Sequence, residues 1–388
     1  MLKNRYILPI IVIAQFFCTS IWFAGNAVIS NIMPSASAQS ISHVLSAVQF
    51  GFITGTFIFA LLSVSDRFSP SKVFLASALI AACFNLGVVY AERDLPAILT
   101  LRFLSGFFLA GIYPIGMKIV ADYYRNGLGS ALGYLVGALV LGTALPHLLK
   151  GISLNLSYQN ILAITSFMAL TGGCLVGFFI PNGPYRVKSN FDASALLKIF
   201  KQAEFRAVAI GYFGHCWELY AFWAFVPQLL LHYSKINTLQ QINLSLLAFI
   251  IIASGSLACV ISGYLSKKMG VKKLAAVILL LSCFCCLLSP LLFYIAQFWV
   301  VIIILIIWAM LVVADSPLFS TLMAQNAPIA LKGTALTIAN CIGFSITIIS
   351  IQFIGLLIEQ INPSFVFVFL AIGPIIGLIS LVKKKQIE

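Results

Sequence analysis

Long apolar runs alternate with short polar connections along almost the whole chain. Most runs are about 20 residues or longer, which is the length that an α-helix needs to cross the hydrocarbon part of a bilayer. We number the predicted membrane-spanning helices as spans 1 to 12. They cover residues 6–33, 41–63, 72–91, 95–119, 127–149, 159–180, 205–232, 241–265, 272–296, 298–324, 333–358 and 363–382.

A polar linker, PNGPYRVKSNFDASALLKIFKQAEFR, divides the spans into six and six. Its basic, amphipathic second part is expected to lie on the membrane surface. The two halves resemble each other, since Pro114 in span 4 is followed by GLGSALG and Pro317 in span 10 by LKGTALT at nearly the same distance. Such a duplicated unit is typical of transporters. The prediction is an all-α polytopic membrane protein with pseudo-symmetric six-helix bundles at 1–182 and 205–388, joined by the linker 183–204.

The amino-acid composition indicates which class of protein this is, and it leaves the predicted helices unchanged. Of 388 residues, 61% are hydrophobic and 9% are charged, and the mean hydropathy is +1.07. A soluble globular protein has about a quarter of its residues charged, so this chain cannot cover a surface that faces water. The nine cysteines lie mostly inside apolar runs. Their spacing fits neither a disulfide framework nor a metal site, so packing between helices is expected, with no metal and no cofactor.

The net charge of +13 does not indicate nucleic acid, because the cations are spread over the connections between spans. Most of them fall on one side of the predicted topology, which by the positive-inside rule places both termini in the cytoplasm. Lys3 and Arg5, the apolar run 6–33 and the segment SASAQS together imitate a signal peptide. The run is about twice the length of a usual signal-peptide core, and it contains Gln15 and Asn26. It is therefore expected to remain as the first helix.

Three short motifs carry a resemblance to a known family. SDRFSPSK, between spans 2 and 3, contains Asp66, Arg67 and Lys72, and a second charged loop, SKKMGVKK, stands at the equivalent place in the other half. RFLSGFFLA begins at Arg102, and ADYYRNGLGSALG joins spans 4 and 5. With the duplicated spans, these motifs resemble the major facilitator superfamily over almost the entire chain.

The resemblance implies a fold of twelve helices and transport by alternating access, with Asp66, Arg67 and Lys72 at a cytoplasmic gate. The match is partial, because the chain departs from the family motifs at Leu62, Ser69, Pro70, Ser105 and Lys267. Span 5 also lacks the GPxxGG element that is common in the exporters of the family, which disfavours a drug/proton antiporter.

A few ionisable residues lie inside the spans, where a charge is costly and usually marks a function. The candidates among them are Arg102, His147, His215, Glu218 and Asp315. His215 and Glu218 are three residues apart and share a helix face, and Asp315 lies at a similar depth. Burial favours the neutral form of a carboxyl group, so these three residues are candidates for proton coupling. The alternative is that they only form hydrogen bonds between helices.

Candidate substrate-binding residues come from several spans. Span 1 carries a stripe at spacings of four, three and four residues, made of Gln15, Thr19, Trp22 and Asn26. Gln49 in span 2 and Asn340 in span 11 add hydrogen-bonding groups. Arg102 would bind an anionic group of the substrate, or would alternatively pair with an acid or a helix end and hold the first half together. For Trp22 and the other tryptophans, packing and anchoring remain open as alternatives to substrate stacking.

An enzyme is disfavoured, because His215 and Glu218 do not form a zinc-protease motif and the chain has no nucleotide-binding loop. The function predicted is a secondary active transporter of a bacterial inner membrane that moves a small anionic organic solute by proton-coupled alternating access, as in symport. Its expected partners are the solute, protons and the lipid bilayer, and it is expected to be a monomer. A proton-driven efflux pump for amphipathic compounds is the second choice, and a non-transporting scaffold or sensor is a third.

Overall fold

The computed structural model describes residues 6–34, 37–91, 94–124, 127–152, 156–186, 199–239, 242–328 and 332–382, without the side chains of residues 66, 332 and 333. The regular elements in these ranges are all helical. The first half contains α1 (Ile7–Thr19), α2 (Ala24–Ile32), α3 (Ala38–Leu61), α4 (Pro70–Gly87), α5 (Leu95–Leu109), α6 (Tyr113–Tyr123), α7 (Leu128–Ile152) and α8 (Tyr158–Phe179). The second half contains α9 (Ala203–Ile236), α10 (Leu244–Met269), α11 (Val271–Leu288), α12 (Phe298–Ala314), α13 (Ser316–Asn326), α14 (Lys332–Gln360) and α15 (Ile372–Val382).

Eleven helices in the described residues are long and apolar enough to cross a membrane, counting α1–α2, α5–α6 and α12–α13 as one each. α9 is outside this set because polar residues such as His215 and Glu218 lower its mean hydropathy. It is 34 residues long and corresponds to the predicted span 7. At 1.5 Å per residue that is about 51 Å, more than the ~30 Å of a hydrocarbon core. The all-α polytopic fold is confirmed.

Local sequence explains where several helices begin and end. The side chains of Ser37, Ser157 and Asn243 accept hydrogen bonds from backbone N–H groups in the first turns of α3, α8 and α10. These residues satisfy donors that a helix start otherwise leaves unpaired. Gly270 separates α10 from α11 at a φ of 83°, a conformation that glycine adopts without a steric penalty.

Three of the spans are broken near their middle. Span 4 is interrupted between α5 and α6, and span 10 is interrupted at Asp315 between α12 and α13. Pro114 and Pro317 stand in the first turns of α6 and α13, where a missing N–H costs least and the preceding helix cannot continue. The third break separates α1 from α2 at residues 20–23, without a proline.

Most helices pack within their own half of the sequence. In the first half α3 packs on α5, and α4 packs on α8; in the second, α9 packs on α15 and α10 on α12. The halves meet mainly along two pairs, α3 with α14 and α7 with α10. Glycine allows α7 and α10 to approach closely. A Cβ added at Gly137 of α7 would lie only 2.9 Å from the Ser256 carbonyl oxygen of α10. The bundle boundaries stay a prediction, and residues 187–198 of the linker lie outside the described residues.

Candidate functional site

A cavity lies where the two halves meet, beside the break in span 10. Its lining combines residues of α6 and α7 from the first half with residues of α9, α12, α13 and α14 from the second. The cavity has a volume of about 30 Å³. Typical ligand pockets have roughly 300–1,000 Å³, so in this conformation the halves are closed around the site. The lining residues are Tyr113, Met117, Leu139, Tyr212, His215, Cys216, Leu219, Tyr220, Val313, Ser316, Ser320, Asn340 and Phe344.

His215 and Asp315 are in direct contact at this cavity. Nδ1 of His215 lies 2.7 Å from Oδ1 of Asp315, and the two side chains are 2% and 1% exposed. The other ring nitrogen, Nε2, is 2.8 Å from the hydroxyl of Ser316. A carboxylate at this distance favours a proton on Nδ1. In the neutral imidazole Nε2 then accepts the serine hydroxyl, and in the imidazolium Nε2 donates to the serine oxygen. Both ring nitrogens of His215 therefore have a polar partner.

The break in span 10 also positions the carboxyl group of Asp315. Asp315 stands immediately before the first residue of α13, and its carbonyl accepts the backbone N–H of Phe319. A helix N-terminus carries a partial positive charge, which stabilises a nearby carboxylate. Phe319 and Tyr212 pack their rings beside the imidazole, with centroids 6.0 and 6.1 Å away. The surroundings of the pair are therefore apolar on those sides, and Asp315 stands between the C-terminus of α12 and the N-terminus of α13.

Glu218 is three residues after His215 but has different neighbours. Its Oε1 accepts hydrogen bonds from Ser282 at 2.5 Å, Trp308 Nε1 at 2.9 Å and Cys286 at 3.1 Å. These donors belong to α11 and α12, inside the second half, and Glu218 does not line the cavity. The structure thus brings His215 and Asp315 together and places Glu218 in a separate hydrogen-bonded cluster. The role of the three residues in proton coupling stays a prediction.

Arg102 is fully buried in the first half and is held by acceptors of the protein. Its Nη2 donates to the carbonyls of Ile21 at 2.9 Å and Trp22 at 2.6 Å, at the break between α1 and α2. Its Nη1 donates to Asn85 Oδ1 at 3.0 Å. These contacts correspond to the alternative in which Arg102 holds a helix end. Binding of a substrate anion by Arg102 stays a prediction.

Asn85 was not among the predicted site residues, yet it organises this region. Its Nδ2 donates to the hydroxyls of Thr165 and Ser166 on α8, at 3.1 and 2.9 Å. Asn85 lies in an otherwise apolar run, FNLGVV, and a polar residue in such a run is usually paired with another helix. That signal could have identified Asn85, but not its partners.

The predicted polar residues of spans 1 and 2 are buried, except for the half-buried Asn26, and several lack hydrogen-bond partners among the described residues. Both amide atoms of Gln15, Asn26 and Gln49 are unpaired, as is the indole nitrogen of Trp22. Thr19 instead donates to the Gln15 carbonyl at 2.8 Å. Of the substrate-binding residues predicted from the sequence, Asn340 is the one that lines the cavity, where it accepts a hydrogen bond from Tyr212 at 3.1 Å.

An aromatic cluster joins the two halves next to the cavity. Its members are Trp22, Phe23, Phe52, Tyr220, Trp223 and Phe344. Trp22 stacks on Tyr220 at 5.9 Å and on Phe344 at 5.8 Å, which links span 1 to spans 7 and 11. Trp223 packs against Tyr220 at 5.3 Å, and its indole nitrogen also has no partner in the described residues.

At the predicted cytoplasmic gate, Arg67 and Lys72 are exposed. The side chain of Asp66 lies outside what the structure describes. The loop that carries these residues is bound by Arg186, whose Nη2 donates to the Phe68 carbonyl at 2.7 Å and the Ser65 carbonyl at 3.2 Å. The gate role stays a prediction, and the contribution of Arg186 was not apparent from the sequence.

Comparison with known proteins agrees with this architecture. A model of the Major Facilitator Superfamily matches residues 11–351. A protein of Buchnera aphidicola subsp. Schizaphis graminum named as an uncharacterized transporter is 24% identical over 178 residues, which cover 44% of this chain and 43% of that protein. A Schizosaccharomyces pombe protein, also named as an uncharacterized transporter, is 27% identical over 218 residues, covering 55% of this chain and 35% of that protein. The chain therefore aligns with less than half the length of each relative.

Proposed function

The chain belongs to the Major Facilitator Superfamily, and from this premise we propose that it is a proton-coupled secondary transporter of a small organic solute. Its apolar helices make it a multi-pass membrane protein. The observation that carries the proposal is the buried contact between His215 and Asp315 at the cavity between the halves.

Alternating access supplies the mechanism by which this pair couples transport to protons. When the cavity opens to one side, water reaches Ser316 and the imidazole, and a proton enters or leaves through the serine hydroxyl. When the halves close, the pair is again removed from water, and a net charge there becomes costly unless it is neutralised. Binding of the proton and binding of the solute therefore both change the free-energy difference between the open and closed states. This shared dependence couples solute transport to proton movement.

The charge of the solute is a separate part of the proposal. An anionic group was predicted from Arg102, whose guanidinium donates to Asn85 and two carbonyls. An anion would have to displace one of these acceptors or bind at the remaining Nε. The contacts support the structural role better, so Arg102 does not decide the charge of the solute.

The cellular setting is also part of the proposal. We propose a bacterial inner membrane, and we propose that the N- and C-termini lie in the cytoplasm because most lysines and arginines fall on that side of the predicted topology. We also propose that one chain is the transporting unit, since the cavity is formed within a single chain.

The test compares two isosteric changes in proteoliposomes, using a solute first identified by thermal-shift screening of organic acids, amines and alcohols. Asp315→Asn should retain solute exchange and lose accumulation driven by a pH gradient, because a protonated His215 would then have no counter-charge when the halves close. Glu218→Gln is the matched control and should retain both. Full pH-driven accumulation in Asp315→Asn would refute the assignment, and its loss in Glu218→Gln alone would move the coupling role to Glu218.

Efflux of amphipathic compounds is the second candidate, and the aromatic cluster between the halves favours it. The same vesicles distinguish the two directions. Export is supported if an inward proton gradient expels the solute, and import is supported if that gradient draws it in.

A further inference from the structure

We propose that the transported solute carries a planar ring and no net negative charge, and that its ring lies against Tyr220 and Phe344 when it occupies the cavity. This inference rests on the proposed function, since it takes the cavity between the halves as the solute site. It goes further by naming the chemical class of the solute.

The first support is the composition of the cavity wall. Tyr113, Tyr212, Tyr220 and Phe344 present four aromatic rings from three different helices, α6, α9 and α14. Tyr220 and Phe344 also pack on each other at 5.3 Å, so they form one continuous surface. Offset stacking on such a surface favours a planar ring over a saturated group of equal size.

The second support is the pairing state of the polar groups in the wall. The hydroxyl of Ser316 contacts His215, the hydroxyl of Ser320 donates to the Ser316 carbonyl, and Asn340 Oδ1 accepts from Tyr212. A solute with many hydroxyl groups, such as a sugar, would find these atoms already bonded, which leaves the hydroxyls of Tyr113 and Tyr220 and the amide nitrogen of Asn340 as the other polar groups of the wall. Burying its unpaired hydroxyls would cost about 1–3 kcal/mol each. A ring with one or two polar groups avoids that cost.

The third support is a pair of buried donors behind the wall. The indole nitrogens of Trp22 and Trp223 have no acceptor among the described residues, and both side chains are fully buried. The two indoles pack against Tyr220, at 5.9 and 5.3 Å. An acceptor atom on the solute would satisfy one of these N–H groups if Tyr220 moved aside as the cavity enlarges.

The fourth support concerns charge. The described lining residues include no lysine or arginine, and the titratable ones are three tyrosines, Cys216 and His215. Asp315 stands directly behind His215 and already neutralises the imidazolium when it forms. A solute anion would thus be buried without a counter-charge, which is strongly unfavourable. A neutral ring meets no such penalty, and a cationic ring is attracted by the aromatic faces.

A matched set of probes tests the class of solute on the purified full chain by thermal shift. Phenethylamine, 2-phenylethanol and phenylacetate share one ring and differ in charge, and 2-cyclohexylethylamine replaces the planar ring by a saturated one. The amine or the alcohol should raise the melting temperature, and phenylacetate and the cyclohexyl compound should raise it less. Equal or greater stabilisation by either of these two, or no stabilisation by any ring probe, would overturn the inference.

Two substitutions test the position of the ring. Tyr220→Leu should weaken binding of the ring probes about two- to tenfold and abolish the preference over the cyclohexyl compound, because an aromatic contact is lost. Tyr220→Phe should keep the preference, and Tyr90→Leu, at a side chain that is 82% exposed, should change nothing. If Tyr220→Leu does not fold, Phe344→Leu replaces it. An unchanged preference in the leucine variant places the ring elsewhere and contradicts the assignment.

The outcome separates the two proposals, because probe binding requires no proton gradient. Ring selectivity that depends on Tyr220 supports the inference even if Asp315→Asn leaves pH-driven accumulation intact. Loss of accumulation in Asp315→Asn together with a preference for phenylacetate supports the proton coupling and overturns the solute class.

Discussion

At the scale of single residues, the two buried carboxyl groups of the second half differ in what surrounds them. Asp315 contacts an imidazole that borders the cavity, whereas Glu218 accepts three hydrogen bonds from side chains of α11 and α12. A group whose charge changes during transport needs access to water at some stage. Asp315 meets that condition through His215 and Ser316, and Glu218 is better suited to joining helices.

Glu218→Ala tests this difference through stability. The substitution leaves the donors of Ser282, Cys286 and Trp308 without their acceptor, and each buried unpaired donor costs about 1–3 kcal/mol. The expected loss is ~3 kcal/mol or more, measured as a lower melting temperature in detergent. Glu218→Gln keeps one acceptor oxygen and should lose less than about half of that. Asp94→Ala, at an exposed carboxylate that makes no hydrogen bond to the start of α5, is the control. If Glu218→Ala melts like that control, the cluster does not stabilise the fold.

Arg102→Lys tests, again through the melting temperature, whether the buried guanidinium of Arg102 stabilises the fold. A lysine has one ammonium group and cannot bond Asn85 and the two carbonyls in the same geometry. We expect the melting temperature to fall, with a loss of about 2 kcal/mol. Thr100→Ala, on the exposed face of α5, should have little effect. If Arg102→Lys instead weakened solute binding at unchanged stability, Arg102 would belong to the binding site.

At the scale of helices, the breaks show what could be predicted from the sequence. Pro114 and Pro317 mark the interruptions of spans 4 and 10, because proline removes a backbone donor. The break at residues 20–23 has no such residue, and its carbonyls are bound by Arg102 from a distant part of the chain. Periodicity likewise placed His215 and Glu218 on one helix face but did not distinguish their partners. Helix positions follow from local pattern, whereas contacts between helices depend on residues far apart in sequence.

Gly25→Ala tests whether the break in span 1 depends on Arg102. An added Cβ would lie 2.7 Å from Arg102 Nε, so the guanidinium would have to move. Alanine is favoured over glycine inside a helix by about 1 kcal/mol. A lower melting temperature in Gly25→Ala would therefore indicate a steric conflict with Arg102. Gly129→Ala on α7 meets no atom within 4 Å and should be neutral or stabilising.

The matching double variant completes this test. In an Arg102→Met background the obstacle to Cβ is a flexible side chain that makes no hydrogen bonds, so Gly25→Ala should cost less than it does in the wild type. The difference between the two costs, taken from melting curves, is the coupling energy of the pair. Equal costs in both backgrounds would contradict a link between Gly25 and Arg102.

At the scale of the whole molecule, the proposed alternating access requires the halves to separate on one side at a time. On the side predicted to face outward, Asn243 Nδ2 donates to the Gly151 carbonyl at 2.6 Å, and the Gln39 N–H donates to Glu359 at 3.0 Å. On the opposite side the hydroxyls of Tyr134 and Tyr264 are 3.2 Å apart. Each of these contacts joins α7 to α10 or α3 to α14, and each has to break when its own side opens.

Asn243→Asp tests the outward-side contact without disturbing the helix that carries it. The side-chain oxygen of Asn243 caps α10 by accepting the Leu246 N–H at 3.0 Å, and aspartate retains that acceptor. The donor to Gly151 is lost, and a carboxylate oxygen then faces a carbonyl. Since such a bond contributes about 0.5–1.5 kcal/mol, the ratio of outward-open to closed molecules should rise about two- to tenfold.

The native thiol of Cys216, which is buried and lines the cavity, reports this shift. In sealed vesicles of known orientation, a membrane-impermeant maleimide added on the outward side should alkylate Cys216 faster in Asn243→Asp, as quantified by mass spectrometry of the peptide. Cys18, buried away from the cavity and bonded to the Ala169 carbonyl, should remain unlabelled. Asn237→Asp is the matched control, because Asn237 donates within its own helix to the Tyr233 carbonyl. A slower or unchanged reaction of Cys216, or an equal acceleration in Asn237→Asp, would show that the contact between Asn243 and Gly151 does not hold the outward side closed.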